Sequence, residues 1–227
     1  MKITWLGQAG LMLESNGKII LIDPYLSDNV KYFNPKNYRR QPVDPAFLAV
    51  KPDIIICTHD HLDHYDVPTL RHYMDGERSL LFLGPTSCYQ KLGEWQSKHN
   101  CVKFDRHTRW TQDGVVFSAV AADHSDPHAI GVIIEDDEKR IYITGDTLYN
   151  TDVLSDVTGP LDAVFLPVNG VGNNMNMTDA AAFAAATGAR VAVPIHWGMF
   201  DALDPAAFPC PNKVIPALYR EIDIDPR

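Results

Sequence analysis

The sequence predicts a layered α/β domain, and three observations support this prediction. Short apolar runs, typical of strands buried on both faces, alternate with segments of helical pattern. Strands outnumber helices, and the helices fall between buried strands, which is typical of layered α/β proteins. The chain has 227 residues, enough for one sizeable core, and no linker or internal repeat divides it. We therefore expect a single domain over residues 1–227.

The first half of the chain begins with a predicted meander of three strands. These strands span residues 2–6, 10–14 and 18–22. Asn16-Gly17 is a strong hairpin turn signal, and Asp23-Pro24 ends the third strand. Residues 25–45 are polar and rich in proline and asparagine, which indicates a long loop near a functional site.

Buried strands alternate with two helices in the rest of the chain. The first helix is predicted over residues 67–74, with Asp66 as its cap. The second is predicted over residues 180–187, capped by Thr178 and ended by Gly188. The remaining predicted strands span residues 53–57, 80–84, 114–121, 129–135, 140–144, 163–167 and 191–194.

Charge and composition exclude several classes of protein. The formal net charge of −9 argues against a broad surface for nucleic acid or anionic membrane. No apolar stretch is long enough to cross a bilayer, and the N-terminal residues lack the continuous apolar region of a signal peptide. The four cysteines form no C-x-x-C pair and indicate reduced thiols. We expect a cytoplasmic protein that acts on a small-molecule substrate and has no nucleic-acid or membrane partner. A homo-oligomer is one of the oligomeric states that the sequence leaves open.

The clearest functional motif is the segment 58–64, THDHLDH, which directly follows a buried strand. Imidazole and carboxylate ligands suit zinc, manganese or iron, and no cysteine pair nearby indicates a structural zinc site. His59 and His61 can converge on one ion, and Asp63 and His64 can face a second. A lone histidine on a loop is usually structural, but five potential ligands in six positions predict a metal site.

This segment matches the H-x-H-x-D-H motif of the metallo-β-lactamase superfamily, which the chain resembles over nearly its whole length. The family's other characteristic positions follow in the family's order, at Asp23, His124, Gly145-Asp146-Thr147 and Pro194-Ile195-His196. The resemblance implies the metallo-β-lactamase fold, a four-layer αβ/βα sandwich, and two divalent metal ions. Zinc or manganese is expected, with iron as a further candidate.

The resemblance also implies a role for each matching residue. The first ion is expected on His59, His61 and His124, the second on Asp63, His64 and His196, with Asp146 bridging the two. Asp23 corresponds to a family position whose carboxylate does not bind metal itself but hydrogen-bonds a ligand histidine and fixes its orientation. His128 is the alternative to His124, which we prefer because it closely follows the predicted strand 114–121.

The expected chemistry is hydrolysis by a hydroxide that bridges the two metals. Two divalent ions lower the pKa of a shared water and stabilise an anionic tetrahedral intermediate. Asp63, His64 and Asp146 are the expected catalytic residues. No G-x-S-x-G motif, Walker loop or dinucleotide motif indicates another chemistry. The sequence therefore predicts a binuclear metal-dependent hydrolase.

Within the superfamily the chain looks most like the L-ascorbate-phosphate lactonase branch. The matching stretches are Phe82-Leu83-Gly84-Pro85 with Cys88, Asp123-His124-Ser125, Ala129-Ile130-Gly131, Gly145-Asp146-Thr147 and Ile195-His196-Trp197. This resemblance implies a lactone, or a phosphorylated sugar-acid lactone, as the substrate. The chain departs from that branch by lacking its long N-terminal extension and by its Asn-rich segment 169–176.

The expected substrate contacts lie mainly in this Asn-rich segment, which precedes a predicted helix. They are Asn169, Asn173 and Asn174, together with His128 and Trp197. Two other functions stay open at this stage: a phosphodiesterase or nuclease of the same fold, and an iron-containing redox protein.

Overall fold

The computed structural model describes residues 1–225, and its framework is two six-stranded sheets. The first sheet contains β1 (Lys2–Gly7), β2 (Gly10–Ser15), β3 (Lys18–Ile22), β4 (Ile54–Ile56), β5 (Leu81–Gly84) and β6 (Asn100–Lys103). The strands lie side by side in chain order. The predicted meander β1 to β3 is antiparallel, and β3 to β6 are parallel.

The second sheet follows the same plan. It contains β7 (Arg109–Gln112), β8 (Val115–Ala121), β9 (Ile130–Glu135), β10 (Arg140–Ile143), β11 (Ala163–Pro167) and β12 (Val191–Ile195). Strands β7 to β10 are antiparallel, and β10 to β12 are parallel. Because parallel strands need a crossover, helices are brought onto the outer faces of both sheets.

The helices form the two outer layers. They are α1 (Val30–Phe33), α2 (Pro45–Leu48), α3 (Val67–Met74), α4 (Thr86–Tyr89), α5 (Trp95–Lys98), α6 (Thr151–Ser155) and α7 (Met177–Thr187), with a short 3-10 helix at Pro205–Ala207. Side chains of α3, α4 and α5 pack against the first sheet, and those of α6 and α7 pack against the second. The result is the predicted four-layer α/β arrangement.

The central strands are continuously apolar because successive side chains point to opposite faces of the sheet and both faces are buried. In β4, Ile54 and Ile56 face the core between the two sheets, whereas Ile55 faces the helices that include α3. All three are buried. A large aliphatic side chain gains about 1.5–3 kcal/mol from full burial, so a strand covered on both faces favours apolar residues throughout.

The structure confirms some predicted boundaries and corrects others. Helix α3 spans the predicted residues 67–74. Helix α7 begins at Met177 and not at Ala180, because Asn176 is the N-cap, with its side chain accepting from the N–H groups of Thr178 and Asp179. The two short helices α1 and α2 were missed; they lie in the loop predicted over residues 25–45 and at its end.

No helix among residues 1–225 is long and apolar enough to cross a membrane.

Candidate metal centre

Five histidines and three aspartates meet where strands of both sheets end. From the first sheet come Asp23, after β3, and the segment 58–64, after β4; from the second come Asp146, after β10, and His196, after β12. Asp23 and His196 have positive φ angles of 44° and 60°, which non-glycine residues rarely adopt. Such strain is found most often at functional sites.

The first group of potential ligands is His59, His61 and His124. Their candidate ligand atoms all lie within 4.8 Å of one another. Nδ1 of His61 is 3.1 Å from Nε2 of His124. Nε2 of His59 is buried and has no hydrogen-bond partner in the protein. A buried nitrogen without a partner is costly unless another species, such as a metal ion, binds it.

The second group is Asp63, His64 and His196, whose candidate ligand atoms also lie within 4.8 Å of one another. Nε2 of His196 is 3.4 Å from Nε2 of His64 and 3.3 Å from Oδ2 of Asp63. The two histidine rings are stacked, with centroids 5.4 Å apart. This cluster contains the donor types that divalent zinc, manganese or iron accept.

Asp146 lies between the two groups. Its Oδ2 is 3.2 Å from Nε2 of His196, and its Oδ1 is 3.4 Å from Nε2 of His64. It also forms a third compact group with His59 and His64. Oδ1 of Asp146 is buried and has no hydrogen-bond partner. This carboxylate therefore links the two groups, because it lies close to His59 of the first and to His64 and His196 of the second.

Each of the five histidines has its other ring nitrogen beside a polar group outside the cluster. The pairs are His59 Nδ1 with Thr58 Oγ1 at 3.1 Å, His61 Nε2 with Ser125 Oγ at 3.2 Å, His64 Nδ1 with Asp23 Oδ2 at 2.7 Å, His124 Nδ1 with the Asn173 carbonyl at 3.2 Å, and His196 Nδ1 with the Asn169 amide at 3.0 Å. For His59, His61, His64 and His124 the partner is an oxygen that can accept from the ring N–H, which is the contact that orients metal-binding histidines; the partner of His196 is the amide nitrogen of Asn169. The chemistry and geometry of these residues therefore fit metal binding.

Asp23 is fully buried and contacts both the motif segment and a candidate ligand. Its Oδ1 accepts from the N–H of Thr58 at 2.7 Å, and its Oδ2 accepts from Oγ1 of Thr58 at 2.6 Å. Oδ2 also lies 2.7 Å from Nδ1 of His64. Asp23 therefore lies where it can orient the ring of His64, which is the role that the resemblance implies for it.

The charges of the second group stabilise a cation. Burial lowers the pKa of His64 and His196, but Asp146 and its neighbouring carboxylates outweigh burial, holding the pKa of His64 well above its usual range and raising that of His196 to about 10. Burial raises the pKa of Asp146, but the two histidines hold it well below its usual range. In the first group, burial, followed by the charge of His64, keeps the pKa of His59 well below its usual value.

Gln8 is a residue of this centre that the sequence did not reveal. It is 2% exposed, and its Nε2 donates to Oδ2 of Asp63 at 2.8 Å. Its backbone carbonyl accepts from the N–H of His196 at 2.8 Å. Its φ angle is positive, at 52°. The available signal was a polar residue between glycines, at the turn joining two strongly apolar strands.

A cavity of about 500 Å³ opens over both groups, and the three predicted asparagines lie in its wall. Nδ2 of Asn174 donates to Oδ2 of Asp146 at 2.8 Å. The Oδ1 atoms of Asn169 and Asn174 are buried and have no hydrogen-bond partner. Asn173 contributes its backbone carbonyl to His124 as well as lining the cavity.

The structure places two predicted substrate contacts elsewhere. His128 is exposed and lines a separate cavity with Asp105 and Arg106, because the chain turns at Asp126, whose Oδ1 accepts from the His128 N–H. The indole of Trp197 packs on Trp5, with ring centroids 4.8 Å apart, and is not part of the wall of the cavity over the centre. Both residues lie outside the wall of the cavity over the centre, and their contact with substrate stays a prediction.

Known proteins share both the sequence pattern and the fold. Residues 18–197 match the family model described as a beta-lactamase superfamily domain. A UPF0173 metal-dependent hydrolase of Staphylococcus epidermidis is 31% identical, covering 92% of this chain and 91% of that protein. A UPF0173 protein of Pyrococcus furiosus is 28% identical, covering 92% and 89%. The metallo-beta-lactamase fold protein YhfI from Bacillus subtilis has a TM-score of 0.73 at 18% identity, covering 97% of each chain.

Proposed function

The chain belongs to the UPF0173 family of metal-dependent hydrolases in the β-lactamase superfamily, and we propose that it uses two divalent ions to hydrolyse a lactone of a small polar metabolite. The observation that carries this proposal is the convergence of the two ligand groups, joined by Asp146, at the base of one cavity. The resemblance to the L-ascorbate-phosphate lactonase branch is what suggests a cyclic ester.

Two sets of residues would hold the ions. His59, His61 and His124 would hold the first, and Asp63, His64 and His196 the second, with Asp146 shared between them. When bound, zinc or manganese supplies Lewis acidity and a water of lowered pKa.

The chain's own residues position the reactants. Asn174 holds one oxygen of Asp146, so that carboxylate keeps its orientation while a substrate enters and leaves. Asp63 lies in the cavity wall, where it can take a proton from the attacking water. The new bond joins the water oxygen to the carbonyl carbon, and the ring C–O bond breaks. Asp63 then returns the proton to the leaving alkoxide, so one acid–base residue serves both steps.

The two other functions that the sequence left open receive less support. Among the described residues, no lysine or arginine lines the cavity, and a nuclease or phosphodiesterase needs cations to hold the phosphate backbone. The donor set accepts iron as well as zinc and manganese, so it does not favour redox chemistry over hydrolysis.

Hydrolysis assays on protein of measured metal content test the proposal. Six-membered lactones are compared with bis(p-nitrophenyl) phosphate, using the parent and Asp146→Asn. We expect lactone turnover that requires metal and is lost in Asp146→Asn, with no comparable turnover of the phosphodiester. Phosphodiester turnover without lactone turnover would contradict the lactonase proposal.

A further inference from the structure

Beyond the candidate metal ligands, the wall of the cavity over the metal centre is uncharged or acidic. Its wall beyond the candidate ligands contains amide side chains, the apolar residues Val30, Val171 and Phe200, and the carboxylate of Asp201. Within residues 1–225 it contains no lysine or arginine. An anionic group remote from the metal ions would therefore meet a carboxylate and no compensating cation.

Three of the four cationic side chains in the loop 25–45 make contacts outside the cavity. Arg39 directs Nη1 to the carbonyl of Tyr25 at 2.5 Å and Nη2 to the hydroxyl of Tyr219 at 2.6 Å. The guanidinium of Arg40 lies over the ring of Tyr38, 5.8 Å from its centroid. Lys31 pairs with Asp28 at 3.4 Å. The fourth cationic side chain of this loop, Lys36, is exposed and is not part of the cavity wall.

The helix that follows the Asn-rich segment does not provide an anion site either. In the first turn of α7, the N–H groups of Thr178 and Asp179 already donate to Oδ1 of Asn176, at 2.9 and 3.0 Å. Asp179 also adds a negative charge to the first turn. A phosphate at this helix end would displace the cap and face a carboxylate.

Two buried amide groups indicate what the cavity does bind. Asn174 is 5% exposed, and its amide orientation is fixed because Nδ2 donates to Asp146. Its Oδ1 therefore stays a hydrogen-bond acceptor, and this atom has no partner in the protein. The amide of Asn169 has an Oδ1 atom without a partner as well. Buried acceptors of this kind favour ligands that carry hydroxyl or N–H donors.

We infer that the cavity selects an uncharged substrate rich in hydroxyl groups and discriminates against its phosphorylated counterpart. This inference rests on the proposed function and narrows its substrate class from a lactone of a small polar metabolite to a neutral polyhydroxy lactone. The apolar wall would contact the carbon face of the ring, and the amides of Asn169 and Asn174 its hydroxyl groups.

Binding of lactams tests the substrate class separately from the reaction, because an unstrained six-membered lactam resists hydrolysis. Glucono-1,5-lactam, its 6-phosphate and unsubstituted piperidin-2-one are titrated into the metal-loaded parent by calorimetry, up to about 10 mM. We expect glucono-1,5-lactam to bind at least about tenfold more tightly than either of the others, since the phosphate meets Asp201 and piperidin-2-one lacks the hydroxyl donors.

Two lysine variants localise the effect. Val171 is in the cavity wall and 65% exposed, so Val171→Lys places a cation at the entrance. It should reduce the preference for the neutral lactam by about fivefold or more. Ile215 is 40% exposed and outside the wall, so Ile215→Lys is the matched control and should keep the preference.

The outcomes separate the two proposals. Lactam selectivity without turnover of any lactone would leave the substrate class standing and overturn the proposed reaction. Equal or tighter binding of the 6-phosphate, equal binding of piperidin-2-one, or no binding of glucono-1,5-lactam would overturn the inferred class even if other lactones are hydrolysed.

Discussion

The Nε2 atom of Gln8 lies 2.8 Å from Oδ2 of Asp63, so the turn between β1 and β2 holds a carboxylate of the motif segment 55 residues further along the chain. The same turn holds His196 through the Gln8 carbonyl. Gln8 thus contacts two of the three residues of the second ligand group. Contacts of this kind fix the orientation of metal ligands and commonly contribute 10–100-fold to metal affinity, as an order of magnitude.

We predict that Gln8→Leu and Gln8→Asn each weaken the binding of the second ion by about 10–100-fold and leave the first ion bound. Leucine removes the amide, whereas asparagine tolerates the positive φ but is too short to keep the contact. Competition against a chelating dye measures both affinities.

Gln41→Leu is the control for this experiment, because Gln41 is exposed. If both Gln8 variants bind two ions with the affinities of the parent, Gln8 has no role in holding the second ion.

Asp146→Asn is expected to lose most of its lactonase activity and to bind the second ion weakly. Asparagine keeps the shape of the side chain but removes the charge shared by the two groups, so bound cations would repel each other more strongly. The expected loss of rate is about 100-fold or more. Metal analysis, lactone assays and circular dichroism are compared with the exposed-site control Asp137→Asn. Full activity with two ions retained would remove Asp146 from the centre.

His124, and not His128, is predicted to be the third ligand of the first ion. Nε2 of His124 is 3.1 Å from Nδ1 of His61, whereas His128 is exposed in a separate cavity. We expect His124→Ala to lose about one ion per chain and His128→Ala to keep both. Elemental analysis after desalting decides between them. Metal loss in His128→Ala alone would reverse the assignment.

The elements that could be predicted are those whose own residues carry a strong signal, such as a proline in the first turn of a helix or a continuous apolar run. Helix α3 has a proline in its first turn and follows Asp66, and its predicted range is the observed one. Strand β4 and its neighbours are apolar on both faces and were recognised as buried. Strands β6 and β7 were missed because each has only four residues, two of them exposed, as is common at a sheet edge.

Residues of the centre were predictable where a spaced motif marks them, and Gln8 was not because its role depends on tertiary structure. A turn that follows β1 reaches Asp63 only once the first sheet has formed. The same reasoning applies to His128, which follows His124 by only four positions and yet lies in another cavity because of the turn at Asp126. Spacing along a loop does not determine on which side of the chain a side chain lies.

Acid stability should depend on Asp136, far from the metal centre in the turn between β9 and β10. Its side chain is 4% exposed and accepts from Oγ of Ser15 at 2.5 Å and from the N–H of Lys139 at 2.8 Å. Burial raises the pKa of Asp136, but these hydrogen bonds outweigh burial and lower it below its usual value. Its contribution to stability is therefore present above the pKa of the unfolded chain, about 3.9, and is lost as the pH falls through the lower pKa of the folded state.

We predict that Asp136→Asn lowers the free energy of unfolding by about 1–3 kcal/mol at pH 7, because Ser15 and the turn then contact a neutral group. The difference from the parent should shrink as the pH falls below about 4, because the aspartate itself becomes neutral as the pH falls through its lowered pKa. Urea unfolding of parent and variant at matched metal content, from pH 2 to 7, measures it. Asp137→Asn, in the same turn but exposed, is the control and should match the parent throughout. A difference that stays constant with pH would show that the aspartate charge is not what stabilises this turn.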